Sequence, residues 1–172
     1  TLLLDKAMIY IEKGELDLAS KSVQQCEQVV AEAKLSQADQ QNLLKNAVYR
    51  ESQIAAKRKA FDNAYALAEE LKDKIDEGND PQEIDKYHNL LGFIHAMQGY
   101  HTTAIQHFKK AETRDPYSLY LWGQCEVMRG NLGEGLKRNQ EIMKLNDSSL
   151  QYAFIRPKVQ QELDQQLTEK PN

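Results

Sequence analysis

Residues 85–118 read DKYHNLLGFIHAMQGYHTTAIQHFKKAETRDPYS, and this 34-residue stretch decides the predicted fold. Gly99 ends a first helix, because glycine tolerates the left-handed backbone conformation that closes a helix. Asp115 followed by Pro116 stops a second helix, because the residue before proline is disfavoured in the helical conformation. The same pair begins the next helix, with Asp as the cap and Pro at the first helical position. The stretch therefore predicts a helix–turn–helix unit.

Small and large residues are ordered within this unit. Gly92 and Ala104 have almost no side chain, so we expect the two helix backbones to approach closely where the helices cross. Leu91 and Phe108 then fill the space beside that crossing. The order of residue sizes thus predicts two helices packed against each other.

In length and residue order the stretch resembles a tetratricopeptide (TPR) repeat, which is a helix–turn–helix of 34 residues. His88 and His95 depart from the repeat, since Trp and Tyr are usual there. The resemblance extends over residues 3–145 and implies an all-α, right-handed superhelix of three to four repeats with a C-terminal capping helix. It is closest to bacterial-type TPR proteins in which some helices are extended. Counted from Asp85, seven signature positions agree: Leu91 (7), Gly92 (8), Gly99 (15), Ala104 (20), Phe108 (24), Ala111 (27) and Pro116 (32).

The small residue of the helix crossing recurs along the chain, which predicts one domain of four units followed by a cap. It stands at Ala19, Ala64, Ala104 and Gly135, and the unequal intervals predict lengthened early helices and a shortened last unit. The predicted bounds are residues 1–34, 36–79, 81–115 and 116–146, with the cap over residues 148–168.

The first two units have different boundary signals. In the first, one helix runs to Lys13 and a second from Glu15 to Ala33. Ser36 begins the second unit with a capping box. The turn near Lys59 has no glycine, so a helix pair and one long helix over residues 38–75 both stay open.

The later units show clearer breaks. Residues 76–80 (DEGND) predict a loop, and Asp80 followed by Pro81 predicts a new helix start. In the fourth unit Gly135 lies inside a helix, which costs about 1 kcal/mol against Ala. This glycine predicts that another backbone packs close to it.

The fourth unit also departs from the repeat, and a cap follows it. Asn139 takes the place of a large apolar residue. After a short turn or helix over residues 148–154, we expect Pro157 to begin the capping helix, with Val159, Leu163 and Leu167 on its apolar stripe.

Composition limits the functional classes. The 172 residues are 41% hydrophobic without a membrane-length apolar run, and the net charge of −4 comes without a basic stripe for nucleic acid. Cys26 and Cys125 are far apart and predict buried thiols, which fits a reducing compartment and favours the cytoplasm. Because the chain begins with Thr1, we expect a processed protein or a module of a longer one.

The sequence contains no pattern typical of an enzyme. Nucleophile, phosphate-loop and HExxH motifs do not occur, so we expect neither catalysis nor a cofactor. His88 and His95 are seven residues apart, which is not a metal-ligand spacing. They occupy packing positions instead, so burial is expected to lower their pKa values and make the central unit acid-sensitive.

The resemblance implies a concave groove, lined by the first helix of each repeat, that binds a protein or peptide. The Lys and Asn that hold a terminal carboxylate in chaperone-adaptor TPR domains are replaced by Leu4 and Met8. The alternative is that some of these residues pack between helices or are buried against the tail helix. Carried over residue by residue, the groove positions are Tyr49, Gln53, Asn89, Phe93, Met97, Tyr120 and Gln124, flanked by Leu4, Met8, Ile11, Glu12, Asn46, Ala56, Lys57, Lys86, Ala96, Val127 and Met128.

Two other functions stay open. The apolar run Leu2-Leu3-Leu4 predicts self-association into a homodimer if nothing else covers it. The extended units also fit a regulatory sensor for a short signalling peptide or a small ligand.

Overall fold

A computed structural model describes residues 2–78, 83–112 and 114–168, with the backbone alone for residues 166–168. Within these ranges the regular secondary structure is helical, and nearly all of it is α-helical. The helices are α1 (Leu2–Lys13), α2 (Leu16–Glu32), α3 (Gln37–Lys57), α4 (Phe61–Gly78), α5 (Ile84–Gln98), α6 (His101–Lys110), α7 (Pro116–Met128), α8 (Leu132–Met143) and α9 (Leu150–Thr168). No helix among the described residues is both long and apolar enough to cross a membrane.

The helices pack as four successive hairpins, α1–α2, α3–α4, α5–α6 and α7–α8, followed by α9. Each odd-numbered helix from α1 to α7 also contacts the next odd-numbered helix, so α1, α3, α5, α7 and α9 form one continuous layer. We call this row of five helices the inner layer.

Left-handed residues end the first helix of each hairpin. Gly14, Gly99 and Gly130 have φ angles of 76°, 82° and 84°. In the second hairpin Lys59 adopts the same conformation with φ of 62°, and α3 and α4 are separate helices. The prediction of a helix pair is therefore confirmed over the prediction of one long helix.

Both predicted side-chain caps are present. The backbone N–H of Asp39 donates to Ser36 Oγ at 3.1 Å at the start of α3. The backbone N–H of Ser118 donates to Asp115 Oδ2 at 2.7 Å at the start of α7, with Pro116 at the first helical position. These bonds satisfy donors that have no partner within the helix.

Two predicted boundaries are wrong, and a third lies outside the described residues. The expected loop at residues 76–80 is helical as far as Gly78, because α4 extends one turn further. The expected helix start at Asp80 and Pro81 lies outside the described residues. Pro157 does not begin a helix but lies inside α9. It is exposed, as is Ala153 one turn earlier, so water can hydrogen-bond the carbonyl that proline leaves unpaired.

The helix crossings differ in what the small residues accommodate. A Cβ atom on Gly92 would lie 2.5 Å from Phe108 Cε1, so this glycine makes room for an aromatic ring and not for a backbone. A Cβ atom on Gly135 would lie 2.5 Å from Val127 Cγ2 and 3.1 Å from the carbonyl oxygen of Gly123. The backbone approach predicted at Gly135 is therefore confirmed.

Helix α9 covers the end of the last hairpin. Ile155 and Val159 are fully buried against Leu119 and Ile142, and Leu163 packs at the edge of this cluster. Asn139, 4% exposed, donates to Glu162 Oε2 at 2.8 Å. The polar residue that departs from the repeat pattern therefore binds the capping helix.

Candidate ligand pocket on the inner layer

A cavity of about 590 Å³ opens on the inner layer. Helices α1, α3, α5 and α7 contribute most of its wall, with the segment before α5 and the start of α9 completing the rim. Its volume lies within the range of about 300–1,000 Å³ typical of small-molecule sites. The lining residues are Leu4, Asp5, Met8, Ile11, Glu12, Asn46, Tyr49, Arg50, Gln53, Glu83, Lys86, Asn89, Asp115, Tyr117 and Gln151.

Helix α3 supplies one polar face of the cavity. Asn46, Tyr49, Arg50 and Gln53 follow one another at intervals of three, one and three residues, which places them on the same side of a helix. Arg50 Nη1 donates to Gln53 Oε1 at 2.7 Å, and the guanidinium carbon lies 5.6 Å from the centroid of the Tyr49 ring. The guanidinium is therefore held in place by neighbours on its own helix.

Helix α5 and the residue before it supply a second polar face. Glu83 binds Lys45 of α3, and Lys86 Nζ lies 3.7 Å from Glu83 Oε1. Burial lowers the pKa of Lys86, and the nearby cations Lys45 and Arg50 lower it further, against the opposing effect of Glu83. Asn89 faces the same cavity, and its Oδ1 is buried without a hydrogen-bond partner among the described residues.

One carboxylate of the cavity wall is bound by residues of two other helices. Glu12 of α1 accepts a hydrogen bond from the Tyr117 hydroxyl at 2.5 Å and another from Lys158 Nζ of α9 at 3.1 Å. We call Glu12, Tyr117 and Lys158 the clasp. Burial, and then the Glu12 charge, raises the pKa of Tyr117 well above its usual range. The clasp joins α1 to α7 and α9 at the edge of the cavity.

The structure brings three of the seven predicted groove residues together at the cavity. Tyr49, Gln53 and Asn89 line it. Phe93 is 1% exposed and stacks on Tyr117 with ring centroids 6.2 Å apart, so it is a core residue and not an accessible groove residue. Met97 is partly buried and packs at the edge of the same core cluster.

The remaining two predicted groove residues contact the capping helix. The Tyr120 hydroxyl donates to Glu162 Oε1 at 2.9 Å, and Gln124 Nε2 donates to the same oxygen at 3.1 Å. The alternative expectation, that the tail helix covers part of the groove, is therefore correct for these two positions.

Several lining residues were not predicted. Arg50 lies one turn after Asn46 on the same face of α3, so helical spacing could have identified it. Asp5, on the next position after Leu4, could have been found by widening the predicted face by one residue. Asp115 and Tyr117 flank a proline at a helix start, and no sequence pattern showed that this helix start opens into a cavity. Gln151 reaches the rim only because α9 folds back.

A separate cluster of histidines lies between α5 and α6. His107 Nδ1 is 3.3 Å from His88 Nδ1, and the His107 ring stacks on His95 with centroids 5.2 Å apart. The Tyr65 hydroxyl lies 3.0 Å from His95 Nδ1. Within the described part of the chain no three His, Cys, Asp or Glu residues are placed to hold a metal ion.

Burial lowers the pKa of all three cluster histidines. For His107 the neighbouring histidines and Lys110 add to this effect and bring the pKa to about 4. Lys110 also lowers the pKa of His88, whereas Asp85 opposes the shift. Burial therefore favours the neutral form of these three partly buried rings, which pack against one another.

Comparisons with known proteins return nothing for this chain: no family model, no curated protein and no solved structure matches it. Any function must therefore be argued from the cavity and the residues that line it.

Proposed function

We propose that this chain is a non-catalytic, TPR-like helical-repeat module that binds a short peptide segment in the cavity of its inner layer. The observation that carries the proposal is the cavity of about 590 Å³ bounded by the first helices of four successive hairpins. The recurrent small residues and the hairpin order support the repeat assignment.

The lining suits a peptide. Asn46, Gln53 and Asn89 offer amides that can hydrogen-bond a peptide backbone, and Leu4 and Met8 offer apolar surface for side chains. The clasp limits the length of a bound segment, because it blocks one side of the groove. A short segment therefore fits better than an extended chain that crosses the whole inner layer.

The cavity offers little for catalysis. Among its lining residues within the described part of the chain there is no His, Cys or Ser that could act as a nucleophile beside a base. The histidine cluster lies between α5 and α6 and is not part of the lining. A binding role is thus the simpler proposal.

The N-terminal apolar run supports self-association less than the sequence suggested. Leu2 is 81% exposed, but Leu4 is 5% exposed and packs with Leu3 in the core of the first hairpin. A single exposed leucine offers too little apolar area for a stable dimer.

The test fills the cavity and measures peptide binding. In Asn46→Trp a large ring occupies the cavity, whereas Asn42→Trp places the same ring one turn earlier on the exposed part of α3. Both variants and the wild type are screened against a library of short peptides, and hits are quantified by isothermal titration calorimetry. We expect Asn46→Trp to weaken binding at least about tenfold and Asn42→Trp to bind like the wild type. Equal binding by all three folded proteins would refute the cavity as the site.

A further inference from the structure

Three of the four carboxylates that line the cavity are already engaged within the protein. Glu12 is bound by Tyr117 and Lys158 in the clasp, and Glu83 is bound by Lys45 with Lys86 nearby. Asp115 accepts a hydrogen bond from the backbone N–H of Ser118. These contacts leave a smaller set of charges available to a ligand.

Arg50 is the cation of the cavity with the most open hydrogen-bonding capacity. It forms no ion pair among the described residues, although it does interact with Asp115: burial raises the pKa of that carboxyl, and the Arg50 charge opposes the shift. The guanidinium retains donors beyond the one directed at Gln53. Lys86 lies beside it with only a loose contact to Glu83. A half-buried guanidinium with open donors is a strong site for a carboxylate, which it can bind through two parallel hydrogen bonds.

Asp5 is a carboxylate without an ion-pair partner among the described residues of the same cavity. Over the described ranges of the chain it has no hydrogen bond or ion pair, although it lies in the first turn of α1. Since no ion pair joins Asp5 to Arg50 or Lys86, the charges of opposite sign are separated across different helices. The cavity therefore presents cationic groups on α3 and α5 and an anionic group on α1 that are not paired with each other.

This arrangement favours a ligand that also has two poles. A dianion would meet the carboxylates of Asp5 and Asp115 in the wall, and like charges in a partly desolvated site repel strongly. A ligand without net charge but with an ammonium and a carboxylate would compensate both poles at once. Asn89 Oδ1, which has no hydrogen-bond partner among the described residues, adds a buried acceptor one turn after Lys86 on α5.

We propose that the cavity binds a zwitterion of the amino-acid or short-peptide class, with the ligand carboxylate on Arg50 and Lys86 and the ligand ammonium facing Asp5. This rests on the proposed function and narrows it: both free termini of the ligand lie inside the cavity. A peptide bound in this way is a short, separate molecule and not an internal segment of a partner protein.

The experiment uses tri-alanine as the probe, since its methyl side chains leave the two termini as the only charges. Isothermal titration calorimetry of the full chain compares free tri-alanine, N-acetyl-tri-alanine and tri-alanine amide at millimolar concentrations. We expect the free peptide to bind and each blocked peptide to bind at least about tenfold more weakly, because each loses one charge-assisted contact.

Variants connect each terminus to its residue. Arg50→Gln is expected to weaken binding of the free peptide about tenfold and to leave binding of the amide unchanged. Asp5→Asn is expected to weaken binding of the free peptide and to leave binding of the N-acetyl form unchanged. Arg58→Gln and Asp17→Asn are matched controls, because these two residues bind each other on the exposed surface outside the cavity. They should bind like the wild type.

The outcomes separate this inference from the proposed function. Equal binding of free and blocked peptides would overturn the zwitterion and keep the cavity as a peptide site. No binding of tri-alanine, together with library peptides that bind and are lost in Asn46→Trp, would likewise overturn the zwitterion alone. If Asn46→Trp binds library peptides as the wild type does, both proposals fail.

Discussion

Substitution of Gly92 by Ala tests the packing of the central hairpin. In an unobstructed helix this change stabilises a protein by roughly 0.5–1 kcal/mol, because glycine loses more backbone entropy on folding. Here the new methyl group would lie 2.5, 2.7 and 2.9 Å from three carbons of the Phe108 ring. Contacts this short force either the ring or the helix to move.

The ring cannot move freely. Phe108 is fully buried, and overpacking of a closed core costs roughly 1–3 kcal/mol. After subtraction of the gain in helix propensity, we expect Gly92→Ala to lower the free energy of unfolding by up to about 2.5 kcal/mol. For a chain of this size that corresponds to a fall in Tm of up to about 10 °C.

Urea denaturation followed by far-UV circular dichroism measures the effect. Gly133→Ala is the control, because no heavy atom lies within 4 Å of a Cβ placed there, and it should be neutral or stabilising. The double variant Gly92→Ala with Phe108→Leu should lose part of the steric cost, since the smaller side chain makes room. The argument fails if Gly92→Ala stabilises the protein as Gly133→Ala does, or if the two substitutions are strictly additive.

Two other predictions concern the histidine cluster and the turn at Lys59. Because the pKa values of His88, His95 and His107 are lowered in the folded state, the unfolded chain binds more protons as the pH falls below its ordinary histidine pKa of about 6.5. The full contribution of these histidines to the free energy of unfolding should therefore be present above that pH and be lost as the pH falls toward 5. For His107 the loss should be about 1 kcal/mol after allowance for solvent screening. The Tm of His107→Gln should depend less steeply on pH than that of the wild type, and an unchanged slope would contradict this. Lys59→Gly should raise the free energy of unfolding by about 0.5–1 kcal/mol, because glycine adopts a φ of 62° without strain. Lys59→Ala is the control and should gain nothing in the same urea titration.

Local signals predicted most of the helix boundaries. Glycine before a turn and Asp or Ser at a helix start act within a few residues, so Gly99, Ser36 and Asp115 could be identified without knowledge of the fold. The turn at Lys59 carried no such signal, because a lysine there adopts a conformation that sequence patterns assign to glycine. The prediction that Pro157 begins a helix is wrong for a similar reason. Whether a helix accepts an internal proline depends on which side of the helix faces water, and the sequence pattern does not show this.

The candidate site was harder to predict, because its limits are set by contacts between distant residues. The periodicity of α3 and α5 correctly indicated Tyr49, Gln53 and Asn89. No local pattern shows that Glu162 binds Tyr120 and Gln124 from roughly forty residues further along the chain. That Arg50 forms no ion pair among the described residues can likewise be seen only once the positions of the neighbouring carboxylates are known.

The clasp has a consequence for how this chain unfolds. In an open stack of hairpins each unit touches only its neighbours, so the stack can fray from either end one hairpin at a time. Here Glu12 and Lys158, 146 residues apart in sequence, are bonded to each other. Loss of α9 therefore removes one of the two hydrogen bonds that Glu12 accepts and weakens the attachment of α1. The two ends of the layer are linked as in a closed ring, and the peripheral helices should unfold more cooperatively than in a linear array.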